Sequence, residues 1–187
     1  MKNSIVILTF LLLFSNCRKV DQDKNEAPFY GYDIEERITE LGIELKPPGP
    51  PVANYVHAVR TGNLVFMAGK GPVSVDGVSI KGKIGKDLSV EEGYQAARRV
   101  AISQLAALKA EIGDLNNVSR IVKVLGMVNC DADFENHPEV INGFSDFMVE
   151  IFGERGKHAR AAVGMGSLPR NIAVEIEMIV EVKPQSE

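Results

Sequence analysis

The residues with the clearest chemical potential are an arginine and a glutamate near the C-terminal end of the sequence. Arg160 opens a short apolar segment that runs to Met165, and Glu175 lies in the segment from 174 to 182. A guanidinium group can hold a carboxylate through two parallel hydrogen bonds, which a lysine cannot do. If the two segments are neighbouring strands, Arg160 and Glu175 could share a pocket. The alternative is a structural ion pair between them.

The segment from 174 to 182 has the pattern of a half-buried β-strand. Its apolar side chains alternate with a second series that is mostly acidic. This period of two is that of a strand with one face against a core. The acidic series must therefore meet solvent, arginines or a pocket. The apolar series is Val174, Ile176, Met178, Val180 and Val182, and the second is Glu175, Glu177, Ile179 and Glu181.

Two stretches resemble the Rid family of reactive intermediate deaminases, also called the YjgF family. The C-terminal stretch carries Ala159-Arg160, Val163, Leu168-Pro169 and Glu175-Ile176-Glu177 in the family's order. Upstream, residues 53 to 73 (ANYVHAVRTGNLVFMAGKGPV) resemble its tyrosine-bearing first strand, Gly-Asn turn, second strand and glycine-rich loop. Together the matches frame residues 50 to 182, about the size of one domain.

The resemblance implies a function as well as a fold. Family members have a chorismate-mutase-like fold and form homotrimers with clefts between subunits. They deaminate small 2-imino or enamino acids by hydrolysis, without a cofactor. The resemblance implies that Arg160 binds the substrate carboxylate. It also implies that Glu175 lines the cleft and orders the water. Tyr55, Gly69 and the backbone N–H of Ala162 match substrate-binding positions. Tyr55 could instead be a core or interface aromatic, and Glu175 could simply solvate one sheet face.

The sequence departs from the family pattern at three positions around this site. Ala161 replaces the family's serine, Ala162 replaces a frequent cysteine, and Lys70 replaces a common glutamine. The pocket therefore has fewer polar side chains and one additional cation, which favours an altered substrate preference. The alternative function is a non-catalytic module of the cell envelope that binds small carboxylates or another partner.

Composition and residue spacing argue against other classes of function. The net charge is −4, and the sequence gives no indication of nucleic-acid binding, which requires a basic stripe or a recognisable binding module. The three histidines, His57, His137 and His158, have no metal-ligand spacing, and we expect no metal site. Cys130 is expected to be a small buried residue.

The first 17 residues resemble a bacterial lipoprotein signal. An apolar stretch from Ile5 to Phe14, interrupted by Thr9, precedes Cys17, and it is far shorter than the roughly 20 residues of a membrane-spanning helix. Cys17 would be lipidated and anchor the protein to a membrane of the cell envelope. A plain secretory signal and an uncleaved tail remain as alternatives. Residues 18 to 32 are expected to form a flexible tether, and residues 33 to 187 a single Rid-like domain.

Periodicity and capping signals predict the order of elements. Asp33 begins a short helix that ends at Gly42, and Ser89 begins a long helix that ends at Gly113. A third helix has Pro138 in its first turn and ends at Gly153. Strands are predicted over 52–60, 64–68, 118–129 with an irregularity at Gly126, 160–165 and 174–182. The prediction is an α+β fold of two layers, a mixed β-sheet with two helices on one face.

Overall fold

A computed structural model describes residues 29–74 and 78–184 of the chain. The predicted signal sequence and Cys17 lie outside these residues. The described residues form one mixed sheet of five strands with three α-helices, in the order α1, β1, β2, α2, β3, α3, β4, β5. The helices are α1 (Ile34–Glu40), α2 (Val90–Ile112) and α3 (His137–Phe152), and the strands are β1 (Ala58–Thr61), β2 (Leu64–Lys70), β3 (Val118–Asn129), β4 (Ala159–Met165) and β5 (Val174–Val182).

The sheet has the strand order β1-β2-β5-β3-β4. All neighbours are antiparallel except β3 and β4, which are parallel. Parallel strands need a crossover connection, and α3 supplies it. β4 and β5 follow each other in the chain but are not neighbours, because β3 lies between them. The arrangement places β1 and β4 at the two edges of the sheet.

Helices α2 and α3 pack side by side against one face of the sheet, which confirms the predicted two-layer α+β architecture. A capping box starts α2, in which the Ser89 side chain and Glu92 bond reciprocally to backbone N–H groups. Gly143 lets the two helices approach, because a Cβ there would collide with the carbonyl oxygen of Tyr94. The apolar series of β5 lies in the core beneath them, and all five of its side chains are buried.

The sequence prediction was wrong at Gly126. The irregularities of β3 fall between Val118 and Arg120 and between Ile121 and Lys123. Gly126 instead pairs regularly and lies under α3, where a Cβ would come within 2.6 Å of Ile141 Cδ1. The glycine is thus explained by the close approach of a helix to the sheet rather than by a bulge.

The first strand is shorter than predicted. It begins at Ala58, so Tyr55 lies in the irregular segment before it. The prolines between 47 and 51 and the bends that follow delay the pairing with β2.

The predicted N-terminal helix is confirmed, and the structured part of the chain extends further toward the N-terminus than expected. Asp33 caps α1 by accepting hydrogen bonds from the N–H groups of Glu35 and Glu36. Tyr30 is buried and donates a hydrogen bond of 2.6 Å to the carbonyl oxygen of Val118. The tether prediction is therefore wrong for residues 29–32, which pack against the domain, while 18–28 lie outside the described residues.

Within residues 29–74 and 78–184, no helix combines the length and the apolar character that crossing a membrane requires.

Candidate functional site

Arg160 lies on edge strand β4 with its side chain on the helix-covered side of the sheet. Its register partner on β3 is Val124, a buried core residue. The Arg160 side chain is directed toward α3, where Nη1 donates hydrogen bonds to Asn142 Oδ1 at 2.9 Å and to Ser145 Oγ at 3.1 Å. Arg160 is exposed to solvent at the edge of the sheet that β4 forms, called the rim of β4 below. One terminal nitrogen of the guanidinium is thus fixed to a helix while the group stays open to solvent.

His158 extends this contact into a chain of hydrogen bonds. Its Nε2 is 3.1 Å from Ser145 Oγ, and its Nδ1 is 2.6 Å from the carbonyl oxygen of Gly156. A carbonyl can only accept, so Nδ1 carries the proton in the neutral ring and Nε2 accepts from the Ser145 hydroxyl. Burial lowers the pKa of His158, and the charge of Arg160 lowers it further against the opposing effect of Gly156. The neutral ring is therefore the favoured form near pH 7.

Glu175 lies on the opposite side of the sheet. Its register partner is Met127 on β3, in the series that faces away from α2 and α3. Gly69 lies directly against it, and a Cβ at that position would collide with Glu175 Oε1. Burial raises the pKa of the Glu175 carboxyl, and the charge of Glu177 raises it further. Gly69 and Glu175, both predicted site residues, are therefore brought together.

The expectation that Arg160 and Glu175 share a pocket does not hold within one chain. The two side chains project from opposite faces of the sheet, and β3 separates their strands. An ion pair between them within one chain is excluded by the same geometry. A cleft that contained both groups would have to combine two copies of the chain.

Ala162 and Tyr55 lie at opposite edges of the sheet. Ala162 is two residues after Arg160 on β4 and shares its face. Because β4 is an edge strand, alternate backbone N–H groups along it have no strand partner. Tyr55 precedes β1 at the other edge and is 48% exposed. Its ring stands edge-on to His57 at a centroid distance of 6.2 Å.

Lys70, the unusual cation noted in the sequence, lies at the end of β2. Its Nζ is 2.6 Å from His57 Nδ1, and His57 Nε2 is 2.7 Å from the carbonyl oxygen of Gly49. Burial lowers the pKa of Lys70. The lysine also lines a cavity of about 480 Å³ between the segment after α1 and helix α2. Lys70 and His57 therefore connect the proline-rich segment 47–51 to the end of β2.

The face of the sheet opposite α2 and α3, called the uncovered face below, carries a strip of apolar side chains beside Glu175, Glu177 and Lys123. Phe66 of β2 is 42% exposed there and pairs with Ile179 of β5. A shallow cavity of about 240 Å³ crosses this face and is lined by Phe66, Met67, Lys123, Leu125, Ala161, Glu177, Met178 and Ile179. A contiguous apolar surface of this kind is typical of a protein–protein contact.

The histidines and the cysteine of the described residues form no metal centre. Among residues 29–74 and 78–184, no group of three or more histidine, cysteine, aspartate or glutamate side chains is placed to hold a metal ion. Cys130 is buried, as predicted, with Sγ 3.4 Å from His137 Nε2. Burial raises the pKa of its thiol, so the thiolate that nucleophilic chemistry requires is disfavoured.

Sequence reasoning did not single out Asn142 and Ser145. They are three residues apart and lie beside the buried positions Ile141 and Phe144 of α3. The available signal was a pair of polar residues three positions apart on α3, the crossover helix that precedes edge strand β4.

Comparisons with known proteins identify the family of the chain. A family model described as "YjgF/chorismate mutase-like, putative endoribonuclease" matches residues 35–182. Protein TCP17 of Trypanosoma cruzi is 37% identical over 150 residues, which cover 80% of this chain and 94% of that protein. A RutC family protein of Pyrococcus horikoshii is 34% identical over 130 residues, or 69% of this chain and 87% of that protein.

A solved structure gives the same result for the fold. The protein Atu1372 of Agrobacterium tumefaciens, of unknown function, is 41% identical and superimposes with a TM-score of 0.73, over 80% of this chain and 93% of that chain. The sequence matches and the mixed five-stranded sheet with its two covering helices lead to one conclusion: the chain belongs to the YjgF/chorismate mutase-like family.

Proposed function

We propose that the protein is a hydrolytic deaminase of small 2-imino or enamino acids. The observation that carries the proposal is the state of Arg160. Its Nη1 is held by α3, while Nε and Nη2 make no hydrogen bond to any residue of 29–74 or 78–184. A fixed guanidinium with two parallel donors still available is suited to bidentate binding of a carboxylate.

The reaction makes modest demands on the site. The 2-imino acid and one water give a 2-oxo acid and ammonia, through addition of water to the imine carbon and loss of the amine. The imine carbon is already electrophilic, so positioning supplies much of the rate enhancement. Glu175 serves as the group that orders the water and accepts its proton. The carboxyl is half-buried, and the rise of its pKa brings that pKa closer to the pH at which the reaction runs, as general base catalysis requires.

The proposed site is a cleft between copies of the chain. Arg160 and Ala162 come from the rim of β4 in one copy, and Glu175 and Gly69 from the uncovered face of another. The apolar strip of the uncovered face supplies the contact, and a homotrimer is the arrangement typical of the family. Tyr55, exposed at the opposite edge of the sheet, is available to border a neighbour's ligand.

Proteins of related fold are consistent with a small amino-acid-like ligand. E. coli TdcF, 21% identical with a TM-score of 0.51, has been solved with bound serine. The RidA of a Psychrobacter species is 25% identical. The leader supplies the location in this proposal, with Cys17 as the lipid attachment site in the cell envelope.

The test uses the full chain and an amino-acid oxidase that generates imines in place. Imine loss and ammonia release are followed with wild type, Arg160→Ala and Arg160→Lys, and with Arg99→Lys as a control on α2. We expect wild type to accelerate imine loss, Arg160→Lys to lower kcat/KM by about tenfold or more because the parallel donors are lost, and Arg99→Lys to be unchanged. Arg160→Ala should be nearly inactive while the protein stays folded and assembled.

Two outcomes would contradict the proposal. No acceleration by wild type over a panel of imino acids would favour the non-catalytic carboxylate-binding module, for which Ala161, Ala162 and Lys70 are the supporting departures. Loss of assembly in Arg160→Ala would show that the arginine is a structural residue.

A further inference from the structure

We propose that Asn142 and Ser145 are positioning residues for Arg160, and that they hold it in the orientation that receives a ligand carboxylate. This inference rests on the proposed function of Arg160. It concerns two side chains of α3 that touch the arginine rather than the ligand. Both bond to the same nitrogen, Nη1, at 2.9 and 3.1 Å.

The choice of partner atoms is informative. The two acceptors are a neutral amide oxygen and a neutral hydroxyl rather than a carboxylate. Neutral acceptors orient the guanidinium without neutralising its charge, because neither the amide oxygen nor the hydroxyl carries a formal negative charge. The positive charge therefore stays available for an incoming anion.

The second step concerns how Ser145 is itself fixed. A hydroxyl rotates freely unless both its proton and its lone pairs are engaged. The Ser145 proton is directed to His158 Nε2 and a lone pair receives Arg160 Nη1. The His158 ring is fixed in turn by Gly156 and by an edge-on contact with Phe144 at 6.3 Å. Arg160 is thus connected through defined hydrogen-bond directions to the backbone of the turn before β4.

The third step is the rigidity of the support. Asn142 and Ser145 flank Phe144, which is fully buried, and Gly143 packs against the backbone of Tyr94. The helix segment that carries both acceptors therefore cannot shift without disturbing the core. Arg160 has several rotatable bonds, and fixing them before binding removes part of the entropy loss on association.

The decisive variant is Asn142→Asp. A purely structural Asn142 would be replaced without loss, since an aspartate would bind Arg160 more strongly and leave the melting temperature equal or higher. A positioning Asn142 gives the opposite result for the ligand, because the new carboxylate competes for the guanidinium. We expect the Kd for pyruvate, a small 2-oxo acid, to rise by about tenfold or more.

Ser145 is tested by a pair of variants with a matched control. Ser145→Ala should raise KM several-fold with kcat nearly unchanged, and Ser145→Thr should restore much of the loss by returning the hydroxyl. Ser103→Ala serves as the control, since Ser103 is a half-buried serine of α2 that donates to the carbonyl oxygen of Gly71, away from Arg160. Its KM should equal that of wild type.

Pyruvate binding to the full chain, followed by NMR shift changes, separates this inference from the proposed function. If wild type binds no pyruvate, the positioning role is overturned, and imine turnover alone decides the proposed function. If wild type binds pyruvate and Asn142→Asp binds it equally well or better, only the positioning role is overturned. Weaker binding by Asn142→Asp at an undiminished melting temperature supports the positioning role, even if no imine turnover is found.

Discussion

Glu175 shows at the scale of one residue how the chain accommodates a half-buried acid. Gly69 gives the carboxyl its space, since any larger side chain there would meet Oε1. Glu177 on the same face adds a second negative charge nearby, and together with burial it raises the pKa of Glu175. A group that is poorly solvated and close to a like charge destabilises the fold when ionised.

This leads to a prediction for the pH dependence of stability. The folded pKa of Glu175 is above its ordinary value of 4.5, so the folded chain binds this proton more tightly than the unfolded chain. The stabilising contribution is present below pH 4.5 and is lost as pH rises through the folded pKa. Glu175→Gln should therefore be more stable than wild type at pH 7.5, by less than about 1 kcal/mol because water screens the half-exposed group.

Urea unfolding at pH 4, 5.5 and 7.5 measures this effect. The gain should shrink toward pH 4, and Glu177→Gln should give a smaller gain of the same sign, because it removes the like charge. An equal gain at all three pH values would show that the effect comes from packing rather than from ionisation.

At the scale of elements, α2 and β2 are joined by one buried side chain. The register of β2 on β5 shifts between Met67 and Lys70. Gln104 of α2 is fully buried, and its Nε2 donates to the carbonyl oxygens of Ala68 at 3.0 Å and Ile176 at 2.6 Å. The Gln104 amide thus supplies hydrogen-bond donors to the strands at the register shift next to Gly69, and it connects α2 to this part of the sheet.

Gln104→Leu should lower the free energy of unfolding by about 1–3 kcal/mol, because one buried and one partly buried carbonyl group lose their donor. The loss is moderated because Gln104 Oε1 is itself buried without a partner among the described residues. Gln95→Leu is the matched control, since Gln95 lies exposed on the same helix and its side chain bonds, within residues 29–74 and 78–184, only to Glu91. Its effect should stay within about 0.5 kcal/mol. Equal stability of Gln104→Leu and wild type in chemical unfolding would contradict the bridging role.

The elements differ in how far the sequence predicts them, and the reason is hydrophobic contrast. β5 and α2 were predicted with their observed bounds because apolar and polar side chains alternate clearly in β5 and a capping box marks the start of α2. The bounds of β3 were also predicted correctly, from a run rich in β-branched residues rather than from strict alternation. β4 offers no such contrast, since the residues after Arg160 are small or apolar on both faces. The face of Arg160 depends on the pairing of β4 with β3, a long-range contact that local periodicity does not contain. Sequence reasoning therefore named Arg160 and Glu175 as candidate site residues, but it did not predict that they lie on opposite faces of the sheet.

At the scale of the whole molecule, the same geometry means that one chain alone cannot bring Arg160 and Glu175 together. One chain presents Arg160 at the rim of β4 and Glu175 on the uncovered face. The apolar part of that face, with Phe66 and Ile179, favours association with another copy. If association joins the rim of one copy to the uncovered face of the next, each cleft takes its arginine and its glutamate from different chains.

Such a shared cleft predicts complementation between two inactive variants. Arg160→Ala and Glu175→Gln should each be inactive alone, because every cleft lacks one group. After co-expression in equal amounts, a cleft is complete when its arginine comes from the Glu175→Gln copy and its glutamate from the Arg160→Ala copy. Random mixing in a cyclic trimer makes about one quarter of the clefts complete, so imine turnover should recover to about a quarter of the wild-type value.

The control pairs Arg160→Ala with a chain that carries both substitutions, which can build no complete cleft. Adding Phe66→Glu to both variants should abolish the recovery and yield monomers in light scattering, because a charge on the contact face opposes association. No recovery in assemblies that light scattering shows to be mixed would mean that Arg160 and Glu175 do not act in one cleft.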